Sequence, residues 1–100
     1  MGQDHEADGG GGRVMSFCRF PRVKFADSNS VMMQILHTES EIREIEKELA
    51  AGDMEHALEE MIDAIWSIET MIRIHCQETG LDPAAAAVKV EKKNRDRGYI

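Results

Sequence analysis

The sequence predicts a small all-α protein, a helical hairpin followed by a C-terminal helix, and three observations carry that expectation. Apolar residues recur at spacings of three and four through two long stretches. Residues that start and stop helices stand where each period breaks. Only residues 17–25 show anything like the alternation of a strand.

The elements follow in chain order. Residues 1–13 are polar, include four consecutive glycines and are expected to form a disordered tail, because they bury too little surface to offset the entropy of ordering. Residues 14–27 read as an extended arm. From Phe17 to Phe25 apolar and basic residues roughly alternate, and Pro21 blocks a helix. A helical domain is expected over 28–100. Asp27-Ser28-Asn29-Ser30 is a cluster of N-cap residues directly before Val31, so a first helix should run over about 29–50, with Val31, Ile35, Thr38, Ile42, Ile45 and Leu49 as its core stripe. Gly52 and Asp53 supply a stop and a new cap. A second helix then spans about 54–78, with Leu58, Met61, Ile65, Ile68 and Ile72 on one face. Gly80 ends it, Asp82-Pro83 opens a third helix in the favoured order of cap then proline, and that helix fades near Arg95.

Charge is distributed unevenly. The net charge of −7 argues against binding to nucleic-acid backbone, which needs an excess of Lys and Arg. Between Glu39 and Asp63 ten acidic residues face only Arg43 and Lys47, whereas between Lys89 and Arg97 five basic residues outnumber Glu91 and Asp96. The first segment suits cations and the second suits phosphate. Cys18 and Cys76 lack any paired-ligand spacing and read as reduced thiols, the first residues lack the apolar stretch of a signal peptide, and no segment reaches membrane-spanning length. A cytoplasmic protein with no membrane partner is expected.

Glu41-Ile42-Arg43-Glu44 and Glu60-Met61-Ile62-Asp63 are the chain's only ExxE and ExxD motifs, and they fall on consecutive predicted helices. Residues three apart on a helix share a face, so each motif presents two carboxylates in one direction. If the two stripes meet in an antiparallel hairpin, four carboxylates gather, and an all-oxygen group of that kind suits Mg²⁺ or Mn²⁺. Taken singly, either motif is more simply read as a solvated, ion-paired face.

The order ExxE, turn, ExxD resembles the MazG-like and dimeric dUTPase superfamily of all-α nucleoside triphosphate pyrophosphohydrolases. The likeness is densest over Glu59-Glu60-Met61-Ile62-Asp63-Ala64-Ile65-Trp66 and continues into Lys93-Asn94-Arg95-Asp96-Arg97-Gly98-Tyr99, similar to the KN..RGY ending of many small members. It covers about residues 31–100. The resemblance implies that Glu41, Glu44, Glu60 and Asp63 bind Mg²⁺, that Glu41 or Glu44 doubles as general base, and that water attacks the α-phosphorus of a nucleoside triphosphate. It also raises Lys93, Asn94 and Arg97 as phosphate or sugar contacts. Many members carry a further helix before the ExxE helix, and here the Pro21 arm stands in its place. That leaves open what closes the nucleobase pocket, a neighbouring subunit being one source.

Trp66, three residues after Asp63, is a candidate for stacking on the base, although a lone Trp on a helix is more often packing. His37, His56 and His75 share no ligand spacing, which argues against zinc. A core of about 70 ordered residues supplies little net stability. Met32, Ile62, Trp66, Met71 and Ile74 lie off the main stripes and would leave an apolar patch. The bundle is therefore expected to be completed by oligomerisation, as a homodimer or homotetramer. The alternative to a hydrolase is a non-catalytic helical oligomerisation or regulatory module on the same MazG-like bundle, which would have no need of both acidic motifs.

Overall fold

The computed structural model describes residues 17–100, so the expected tail and the first residues of the arm lie outside it. The described part is all-helical: a short 3₁₀ helix at Lys24–Asp27, then α1 (Val31–Ala50), α2 (Met54–Thr79) and α3 (Pro83–Asp96). Each α-helix begins at a cap legible in the sequence. The Ser30 side chain accepts from Met33 N–H, Asp53 from His56 N–H and Asp82 from Ala84 N–H, which satisfies amides the helix itself leaves open. Gly80 closes α2 in the left-handed conformation, its φ being 76°.

α1 and α2 pack antiparallel, and what lies between them differs from the expected apolar stripes. Gln34 and Thr38 on α1 meet Ser67 on α2, and Ala57 and Ala64, buried like these three, lie at helical spacing on the same face of α2 as Ser67. Gln34 Nε2 donates to Ser67 Oγ at 2.8 Å and to Ser67 O at 3.2 Å. The Thr38 and Ser67 hydroxyls lie 2.6 Å apart, and Asn29 Nδ2 donates to Gln34 Oε1. Small residues let the two backbones approach, and every buried side-chain polar atom among the described residues has a partner.

The core expectation is thus corrected for α2. Leu58, Met61, Ile65 and Ile68 remain 38–58% exposed, and on α1 Ile42 and Leu49 are likewise exposed, whereas Val31, Ile35, Thr38 and Ile45 are at least half-buried. The physical reason is that periodicity identifies an apolar face but not its neighbour. On α2 the face turned toward α1 is the adjacent one, carrying alanine and serine. Ile74, expected off the stripe, is only 2% exposed.

The arm is extended only in part. After Pro21 the chain turns into the 3₁₀ helix, where Ala26 N–H donates to Val23 O and Asn29 N–H to Phe25 O, and Ala26 is buried. Upstream, residues 19–21 lie against α2 through hydrogen bonds of their backbone to Trp66, Glu69 and Arg73.

Candidate functional site

The register of the hairpin decides which charges meet. Pairing Gln34 with Ser67 sets Glu41, two turns along α1, opposite Glu60, two turns back along α2. Carboxylate oxygens of Glu41, Glu60 and Asp63 all lie within 4.8 Å of one another. Glu41 and Glu60 are half-buried and Asp63 is exposed. Glu44, the fourth carboxylate read from the sequence, is exposed and falls outside this trio, but its charge still acts on Glu60.

The crowding has an electrostatic signature. The Glu60 carboxyl is pushed up from the ordinary glutamate range, first by partial burial, then by a hydrogen bond shared with Glu41 and by the charges of Glu41, Asp63 and Glu44. Like-charged carboxylates relieve their repulsion by holding a proton or a cation between them.

One side of Glu41 is held from within its own helix. His37 Nε2 lies 3.2 Å from Glu41 Oε2, and the edge of the Phe25 ring meets the imidazole with centroids 6.0 Å apart. His37 has no zinc-ligand spacing to the other histidines, but its spacing of four from Glu41 is the sequence signal for this contact.

Beside the trio opens a cleft of about 210 Å³. Glu41 and Asp63 form its acidic side, Val23 and Phe25 of the arm and Trp66 of α2 its apolar walls, and Gln34, Ser67 and Thr70 its polar floor. Trp66 stacks on Phe20, with centroids 4.9 Å apart and an interplanar angle of 12°, and its Nε1–H donates to Pro21 O at 3.1 Å. One face of the indole expected to stack on a base is therefore occupied by the chain's own arm.

The basic tail does not join this group among the described residues. Lys93 and Arg97 are exposed, with the Arg97 guanidinium 5.9 Å from the centroid of the Tyr99 ring. Asn94 lines a second, mostly apolar cleft of about 870 Å³ between α2 and α3, with Met71, Cys76, Leu81 and Val90.

The donor set fits a hard divalent cation. All the atoms offered are carboxylate oxygens from two helices, each within 4.8 Å of the others, and an all-oxygen set is the kind that hard divalent cations take. A sulfur or imidazole donor, which would favour zinc, is absent from the trio. No family model matches this chain, and neither a curated protein nor a solved structure matches it.

Proposed function

We propose that the chain is a Mg²⁺-dependent nucleoside triphosphate pyrophosphohydrolase, cleaving (d)NTP to (d)NMP and pyrophosphate. The observation that supports this reading most is the convergence of Glu41, Glu60 and Asp63 from two helices beside a cleft with aromatic walls. The motif likeness supplies the reaction, and the geometry supplies a cluster able to serve it.

Bound Mg²⁺ would neutralise phosphate charge and make a water more acidic. Glu41, Glu60 and Asp63 would hold the metal. Glu44, exposed and outside the trio, is the carboxylate left to accept the proton of the attacking water, while His37 fixes the orientation of Glu41. Lys93, Asn94 and Arg97 would bind the outer phosphates through charge-assisted hydrogen bonds. Because they are not among the residues around the trio of their own chain, this role calls on the tail of a neighbouring subunit.

The test is direct. The protein is incubated with Mg²⁺ and a panel of canonical and modified (d)NTPs, and pyrophosphate is assayed separately from orthophosphate. Pyrophosphate with a nucleoside monophosphate is expected, and dependence on added Mg²⁺ with it. Release of orthophosphate would sink the assignment.

A further inference from the structure

We infer that Glu69 is a positioning residue for the nucleotide site: it latches the arm onto α2 and so holds the wall of the cleft beside Glu41 and Asp63. The inference rests on the proposed function and deepens it.

Glu69 belongs to neither acidic motif, yet it is only 8% exposed. Its carboxylate accepts from Arg19 N–H at 2.9 and 3.0 Å and from Phe20 N–H at 2.9 Å. One turn further along α2, Arg73, 2% exposed, donates to Phe20 O at 2.8 Å. One turn back, Trp66 donates to Pro21 O and stacks on the Phe20 ring. Side chains from three consecutive turns of one helix face thus fix the backbone groups of three consecutive arm residues.

Burying a carboxylate and a guanidinium costs free energy unless their hydrogen bonds are met, and an apolar contact would hold an arm down without that cost. What fixes register is the combination of these bonds with Pro21, which has no N–H to offer Glu69, and with the stack of Phe20 on Trp66. Sliding the arm by one residue would break the stack in either direction, and in one direction would set Pro21, without an N–H, before Glu69. Register matters here because Val23 and Phe25, just beyond the latched residues, are the arm's contribution to the cleft.

The cleft is smaller than the roughly 300 Å³ at which pockets for whole small molecules begin, so it receives one part of a nucleotide rather than all of it. Aromatic and apolar walls over a polar floor suit the planar base, leaving the charged phosphates to the carboxylate side. The arm then governs how the base is held, and the carboxylates govern the chemistry. A loosened latch should weaken substrate binding and leave turnover alone.

The experiment compares wild type with Glu69→Gln, which keeps the shape and one acceptor oxygen, and with Phe25→Ala, which alters an exposed wall and spares the buried latch. Each is assayed with Mg²⁺ and dATP, dGTP, dCTP and dTTP, and each is digested with trypsin without nucleotide. Cleavage after Arg19, Arg22 and Lys24 requires the arm to detach locally, so its rate reports the latch independently of activity. Expected for Glu69→Gln is faster cleavage at these three sites and KM raised by about tenfold, with kcat unchanged. Phe25→Ala should raise KM without faster cleavage. Wild-type trypsin resistance in Glu69→Gln, or a loss confined to kcat, would overturn the inference. If wild type turns over none of the four nucleotides or the wider panel, the proposed function fails and the positioning role with it, whereas the latch still stands or falls on the trypsin pattern.

Discussion

At the scale of single residues, Glu60 concentrates the tension of the site. Partial burial and the neighbouring carboxylates raise its carboxyl from the ordinary glutamate value, so the folded state binds its proton more tightly than the unfolded chain does. The sign follows from linkage: this contribution to stability is fully present below the unfolded-state value and is lost as pH rises through the raised folded-state value. Glu60→Gln removes the titration. In EDTA, melting temperatures followed upward from about pH 4 should fall more for wild type than for Glu60→Gln, and at neutral pH the variant should be at least as stable as wild type. The same variant, and Asp63→Asn, should lose Mg²⁺-dependent turnover. Activity retained by both would refute the site assignment, while a less stable Glu60→Gln at neutral pH would refute the repulsion.

Sequence patterns made the carboxylates legible because two motifs at helical spacing fell on consecutive helices. They could not show that Glu44 stands outside the trio, since that depends on how far each helix is rotated. Nor could they reveal Glu69, whose charge amid Ile68, Met71 and Ile72 was a signal only in retrospect.

At the scale of elements, the cluster Asp27-Ser28-Asn29-Ser30, Asp53 and Asp82 announced the helix starts, and the caps stand at Ser30, Asp53 and Asp82. Local chemistry determines caps, so local sequence reveals them. The helix–helix contact was misread for the opposite reason: Ala57, Ala64 and Ser67 carry little hydrophobic signal, and their value lies in what they allow α1 to approach. The Asp53 cap also carries a pH-dependent test. Asp53 bonds His56 Nδ1, which lowers the Asp53 carboxyl and, through that hydrogen bond first and the Asp53 charge second, raises His56. The histidine contribution is present below its ordinary value and is lost as pH rises through the raised one; the aspartate contribution is lost as pH falls through the lowered one. The melting-temperature difference between wild type and His56→Gln should therefore be largest near pH 5.5 and shrink by about pH 8.5. A difference that grows toward alkaline pH would contradict the pairing.

At the scale of the whole molecule, the polar seam inside the hairpin leaves apolar side chains outside it. Met32 and Leu36 on α1 are 65% and 62% exposed, and Leu58 and Ile65 on α2 58% and 49%. A lone soluble chain seldom shows so much apolar surface. Light scattering at micromolar concentration should give a dimer or tetramer, and substituting Leu58 and Ile65 with Glu should shift it toward smaller species. A folded wild-type monomer would count decisively against this.

The hairpin itself hangs on a very short connection. Between 20 residues of α1 and 26 of α2 stand Ala51, Gly52 and Asp53, and Gly52 takes φ of +78°. A β-branched residue there costs about 1–2 kcal/mol in the bent form and nothing in a straight one. Two straightened chains can exchange halves, each setting its Gln34 against the other's Ser67 and its Glu41 against the other's Glu60. The carboxylate trio would then exist only between molecules, and specific activity would fall on dilution. One left-handed glycine therefore decides whether the carboxylate trio is built within one chain or between two.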